Sequence, residues 1–183
     1  MKSIVIMILI LSLAGGLSAQ ENAKSRQALR EERKAHRDSV ENSNYQLTSN
    51  MIDSMNFVLE ANYLANQVGY RVPVTSDLNF IMVDSTRAVI QTGRLSGIGY
   101  NGVGGVTAKG TISGWKVKKD KKNKSFYITM NVMSNIGIYD IFINVASSGQ
   151  ATARLSGLWP GQLVWDGYLV PIEQTRTYEG QSL

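Results

Sequence analysis

Between Asn56 and Val170, apolar residues fall at every second position in one short segment after another, and this period limits the folds open to the chain. Successive side chains of a strand point to opposite faces, whereas a helix repeats every 3.6 residues. Phe57, Leu59, Ala61 and Tyr63 open the series. The runs 79–83 and 87–92 follow, split by a tight turn at Asp84, Ser85 and Thr86. Residues 104–117 read as one long strand, with Gly110 or Gly114 as its bulge or bend. After a turn at 120–123, Phe126, Ile128, Met130 and Val132 alternate without a break, and residues 134–137 make the next corner. Tyr139, Ile141, Ile143 and Val145 form another set, and residues 147–149 a hairpin turn. Ala151, Ala153 and Leu155, then Leu163, Trp165, Gly167 and Leu169, complete the series before Pro171. About eight short strands joined by turns predict an all-β domain, an antiparallel up-and-down β-barrel by preference. A two-sheet sandwich has the same periodicity. Clean alternation implies one dry face and one wet face.

The first residues are of another kind. Lys2 precedes an apolar run from Ile4 to Leu11 that resumes at Leu13 and ends on Ala14, Gly15, Gly16, Ser18 and Ala19. A cationic start, a short apolar core and a small-residue exit predict a secretory signal peptide over residues 1–19, cleaved after Ala19. The run is shorter than the roughly 20 residues that span a bilayer, and no later segment qualifies as a transmembrane helix. With no cysteine in the chain there is neither a disulfide framework nor a lipid-bearing cysteine. The expected location is periplasmic or secreted. Residues 20–55 read as a polar helical spacer, with helix formers and i,i+4 pairs such as Glu32–His36 and Lys34–Asp38 but too few apolar positions for a core-facing stripe. Apolar content rises at Tyr45, Leu47, Met51, Ile52 and Met55, so the last turns are expected to pack on the domain at 56–183.

Net charge is +5, which raises the question of nucleic acid. Residues 20–56 balance six basic against six acidic side chains, and from Phe57 onward twelve basic meet eight acidic. Lys116, Lys118, Lys119, Lys121, Lys122 and Lys124 surround the single Asp120 and supply that excess. Basicity gathered at one hairpin is not a groove that tracks phosphates, so no nucleic-acid partner is expected. Lysines at a turn also keep strand edges from pairing with other chains.

The residues that could carry chemistry are few. Gly97, Gly99 and Gly102 have the G-x-G-x-x-G spacing of a dinucleotide loop, but strand-like sequence follows where that motif needs a helix N-terminus. The one histidine, His36, lies in the charged spacer, so the domain has no histidine base or histidine metal ligand. No catalytic residue, metal or cofactor is implied. Glu60, Asp84, Asp140 and Asp166 remain for acid–base work, and strand parity turns Asp140 and Asp166 outward, away from a shared cleft. The rings of Tyr63, Trp115, Phe126, Tyr139, Trp159 and Trp165 suit a barrel interior or a cavity lining. Tyr63, Trp115, Tyr139 and Trp165 are the ligand-binding candidates, with Trp159 in a turn beside Pro160 and Gly161.

The leader and charged helix come together with Phe57-Val-Leu-Glu-Ala61, Asp84-Ser-Thr-Arg-Ala-Val-Ile90, Asn101-Gly-Val-Gly-Gly-Val-Thr107, Gly167-Tyr-Leu-Val-Pro171 and a terminal Gly180-Gln-Ser-Leu183. In that combination the chain resembles the domain of unknown function 4251 family of exported Bacteroidetes proteins. The resemblance covers nearly all of the chain after the leader. It implies a lipocalin-like β-barrel, no assigned activity and no site residues. Two functions fit these readings: a non-enzymatic binding module for a small apolar or amphipathic ligand, or a structural or protein-interaction component of the envelope with a filled barrel and the charged helix as its arm. An enzyme using carboxylates is the third and least supported.

Overall fold

The computed structural model describes residues 2–94, 102–157 and 161–182. Helix α1 spans Lys2–Asp53, and the chain divides into two compact units, residues 1–41 and 42–183. In the first unit residues 25–41 are exposed helix, as expected where Arg, Lys and Glu stand on every side. The second unit opens with the last turns of α1 and continues into nine strands. They are β1 (Asn56–Asn66), β2 (Arg71–Pro73), β3 (Phe80–Asp84), β4 (Arg87–Thr92), β5 (Val106–Asp120), β6 (Ser125–Ser134), β7 (Gly137–Ala146), β8 (Gln150–Gly157) and β9 (Gln162–Val170).

Every pairing is antiparallel, and β3 to β9 follow one another as a meander. β1 pairs with β9 along one edge, while its other edge takes β3 at 56–60 and β2 at 63–65. The β1–β9 pairing closes eight strands into a barrel, with β2 as an added short strand, so the sandwich alternative falls. Three residues are too few to display a period, which is why β2 left no mark in the sequence pattern.

Two bulges set which side chains face inward. Between Ala61 and Tyr63 the register with β9 shifts, so that Leu64 faces the interior and Tyr63 the outside. The alternation that placed Tyr63 with Phe57, Leu59 and Ala61 is corrected here, because the extra residue at Asn62 reverses parity. The second shift lies between Ser113 and Lys116 on β5. Gly114 takes φ +62° there, and a Cβ on it would stand 2.5 Å from Asn131 Oδ1. This backbone suits glycine alone, and beyond it Trp115 and Val117 turn to the core.

The interior is one apolar cluster that includes Phe57, Leu59, Ile81, Ile90, Ile128, Ile141 and Trp165. The end of α1 closes one mouth of it. Ile52 is fully buried, and the Tyr45 ring stacks on Phe126 with centroids 4.9 Å apart. Thr48 Oγ1 donates to the Ser147 carbonyl at 3.4 Å, while Lys119 Nζ donates to Asp53 at 2.6 Å and Ser49 at 2.9 Å. Burying a side chain the size of Ile52 is worth about 1.5–3 kcal/mol, so hydrophobic burial outweighs the half-exposed ion pair. The last helical turns thus pack as expected, except that Leu47 is 60% exposed.

A second buried layer lies outside the barrel wall. Val58, Leu78, Phe80, Gln91 and Thr107 are buried without belonging to the interior cluster. The chain after β9 passes over them, bonding Thr175 Oγ1 to Glu60 at 2.6 Å, Tyr178 N–H to the Asp77 carbonyl at 2.9 Å and Gly180 N–H to Gln91 Oε1 at 2.8 Å.

Candidate functional site

The last turns of α1 close one mouth, and toward the opposite mouth several interior-facing side chains are only partly buried. Leu64, Tyr139, Leu155 and Leu163 are half-buried there. Register orders them in depth. Tyr139 pairs with Gly157 at the rim, Leu155 with Leu163 below it, and Ala153 with Trp165 one interior pair deeper. Trp165 also faces Leu64 across the closing seam. Only 1% of Trp165 is exposed, so its side chain lies buried deeper in the barrel than these four.

Gly157 makes room for the Tyr139 ring. A Cβ on Gly157 would come within 2.7 Å of Tyr139 Cδ1, which places that ring over the glycine. Burial pushes the Tyr139 phenol above its ordinary pKa, so the hydroxyl stays protonated through neutral pH. The Trp165 Nε1–H is buried and has no hydrogen-bond partner among the described residues. An unpaired buried donor is uncommon, because leaving one costs about 1–3 kcal/mol.

Of the four ring candidates, the fold brings Tyr139 and Trp165 to this mouth. Trp115 faces the interior near the start of β1 instead, its ring 6.4 Å from that of Phe57. Tyr63 stands on the outer wall, 40% exposed, with the Arg71 guanidinium 3.8 Å over its ring. Arg71 Nε in turn meets Asp166 at 3.3 Å, and Thr152 donates to the same carboxylate at 2.8 Å. These contacts tie β2 to the barrel. Trp159 lies outside the described residues.

The carboxylates do not assemble into an acid–base pair. Asp140 accepts from Asn131, Glu60 from Thr175, and Asp84 pairs with Arg87 at 3.1 Å. Each is occupied by its own neighbour on the outer wall. Among the described residues no three His, Asp or Glu side chains gather as a metal site. Gly97–Gly102 lies outside the described residues apart from Gly102, and the chain beyond it enters β5, not a helix. Lys118, Lys121 and Lys122 are exposed around the β5–β6 turn. Asp120 organises that turn by accepting the Asn123 backbone N–H at 3.0 Å, the Asn123 amide at 2.8 Å and the Lys122 N–H at 3.0 Å, which holds its carboxyl below the usual range.

Two outer features escaped the sequence reading. One is a groove of about 360 Å³ lined by Met82, Arg87, Val89, Lys109 and Glu179, its charges paired as Asp84–Arg87 and Lys109–Glu179. It needs the C-terminal segment as a wall, which no local pattern reveals. The other is an outward-facing apolar stripe on β6 and β7, interrupted by the Asn131–Asp140 pair. Met133 and Ile138 are directly opposed and 56% and 53% exposed, with Phe142 at 52% and Tyr127 at 44%. Their parity marked them as outward-facing, so this signal was present in the alternation itself.

The model of a family described as Domain of unknown function (DUF4251) matches residues 39–169. The chain belongs to this family. A crystal structure of a DUF4251 family protein from Bacteroides eggerthii DSM 20697, at 1.95 Å resolution, is similar with a TM-score of 0.61 and 27% sequence identity, covering 73% of this chain and 91% of that one. No curated protein matches the chain. The DUF4251 match takes in the helical turns that close the barrel and ends at Leu169, ahead of the segment that covers the outer wall. Among the described residues no helix is long and apolar enough to cross a membrane.

Proposed function

We propose that this protein is a non-enzymatic binding module for a small apolar or amphipathic molecule, held in the barrel mouth opposite α1 and acting in the periplasm or outside the cell. The observation that carries the reading is the half-buried ring of Leu64, Tyr139, Leu155 and Leu163 above the buried indole of Trp165. Ligand sites are concave, mostly apolar and furnished with few polar groups. Covering apolar surface returns about 25 cal/mol per Å². A molecule seated there gains that burial while the Tyr139 hydroxyl meets its polar end. The leader-like first 19 residues support the location.

The test is displacement of N-phenyl-1-naphthylamine, a fluorescent apolar probe. Micromolar uptake is expected in the wild type. Leu155→Arg places a cation in the mouth, where desolvation opposes it, and should weaken uptake at least tenfold with unchanged circular dichroism. Equal uptake by both proteins would move the ligand elsewhere, and no uptake by either would remove the reading.

The β6–β7 stripe favours a second reading, that of a protein-interaction component of the envelope. Exposed apolar side chains gathered on one outer wall among polar neighbours mark interaction surfaces. A photo-crosslinker at Ile138 is expected to capture a protein in cells, while one at Asn144, outward-facing and exposed on the same strand, is not. Capture from both positions alike, or from neither, would count against the stripe.

A further inference from the structure

We infer that the outer wall of β5 to β8, next to the lysine turn, docks onto an anionic phospholipid surface. This goes beyond both readings above. Register lays the patch out in two outward-facing rows. Lys116, Thr129, Phe142 and Arg154 stand side by side across the four strands, and Lys118, Tyr127, Asn144 and Thr152 form the next row toward the turn. With strands about 4.8 Å apart, each row crosses about 14 Å of wall. Phe142 is 52% and Tyr127 44% exposed, and Lys116, Lys118 and Arg154 are exposed around them. Lys121 and Lys122 extend the cationic border onto the turn itself.

Few acids offset these five cations. Among the described residues none of the five enters an ion pair. Asp120 offsets Lys118 in part, but its carboxylate is held by Asn123 in its own turn. Asp140 accepts from Asn131, and Asp166 meets Arg71 and Thr152. The patch complements a lipid headgroup layer. Lysine and arginine reach phosphates on long apolar stems, while aromatic rings settle at the boundary between headgroups and acyl chains, the Tyr127 hydroxyl staying in the polar layer. A single-stranded nucleic acid also takes cations together with rings, but it needs a groove that its backbone follows. Here cations border the rings on both sides of a barrel wall that curves outward, which meets a surface at its crest and gives a strand no track. The Asn131–Asp140 pair sets the patch apart from Met133 and Ile138.

Because the chain has no cysteine, a single introduced one carries a fluorescent label at a chosen place. In the full chain, Asn144→Cys places an environment-sensitive nitrobenzoxadiazole label in the patch, and Gln174→Cys places it on the turn beside β1, across the barrel. The apolar leader is common to every sample, so differences between labels and variants report on the wall. With vesicles containing phosphatidylglycerol, the Asn144→Cys label is expected to brighten and shift to the blue. It should not respond to phosphatidylcholine alone, and the Gln174→Cys label should respond to neither. Lys116→Gln, Lys118→Gln and Arg154→Gln should each weaken the response about fivefold, the scale of one cation at an anionic surface. Salt at about 1 M should abolish it, since screening then acts within about 3 Å. Arg176→Gln, which removes the same charge from the exposed C-terminal segment, should leave it unchanged. No brightening with phosphatidylglycerol, equal brightening at both labels, or a loss in Arg176→Gln equal to that in Lys116→Gln would overturn the docking. A response to oligothymidylate as large as that to phosphatidylglycerol would overturn the lipid as partner and make the wall a binder of single-stranded nucleic acid.

Discussion

Gly167→Val is expected to break the barrel at its closing seam and to lower unfolding stability by about 3 kcal/mol or more, at the upper end of what overpacking costs. Gly167 faces Ala61 where β9 meets β1, immediately before the bulge at Asn62. A Cβ at this position would lie 1.8 Å from the Glu60 carbonyl oxygen and 2.8 Å from Ala61 Cα. Both are backbone atoms, so no rotamer change relieves the contact, and the strands themselves must part. Parting them removes ladder bonds on both sides of the bulge and leaves two strand edges unpaired, which also invites association between chains. Urea unfolding followed by circular dichroism should show the lowered midpoint. Hydrogen exchange should show the cause: amides of β1 and β9 lose protection first, while β6 and β7 keep theirs. An unchanged midpoint would mean that the seam has slack which these distances deny.

What the sequence disclosed was whatever a strand decides by itself. Phe126 through Val132 and Tyr139 through Val145 alternate because each strand has one dry face, and both strands occur where the pattern puts them. The parity that turned Asp140 and Asp166 outward holds, since no bulge interrupts β7 or β9 between their inward residues and these acids. Tyr63 fails by the same logic. One inserted residue reverses a strand, and nothing in Ala61-Asn62-Tyr63 announces it. Closure by β1 and β9 joins residues about a hundred positions apart, and β2 is held by its pairing with residues 63–65 and by Arg71, which reaches Tyr63 and Asp166. Gln91 and Thr107 occupy positions that alternation assigns to the wet face, yet both are fully buried. Their cover is a segment without any period. For the mouth, ring chemistry pointed to Tyr139 and Trp165, but only the register with β8 sets their depth, and only burial exposes the unpaired indole N–H.

Gln91→Leu is expected to release the C-terminal segment and to cost about 2–4 kcal/mol, several unmet bonds being partly relieved by local rehydration. The Gln91 amide has its hydrogen-bonding capacity filled. Nε2 donates to the carbonyls of Tyr178 at 2.8 Å and Leu78 at 3.2 Å, while Oε1 accepts from Thr107 Oγ1 and Gly180 N–H, both at 2.8 Å. Leucine fills similar space and can make none of these bonds, leaving buried donors and acceptors in a dry layer beside Phe80 and Val58. Keeping the segment in place would then cost more than lifting it, since lifting returns Tyr178 and Gly180 to water. Amide exchange at those two residues should accelerate more than tenfold in the variant, with Ile128 and Ile143 in the interior unaffected. A chain ending at Thr175 separates cause from consequence. If Gln91 acts by holding the segment, Gln91→Leu should cost far less in the shortened chain than in the full one. Equal costs in both would place the stabilisation within the wall, in the bonds to Thr107 and Leu78, and the segment would be a cover that the wall does not need.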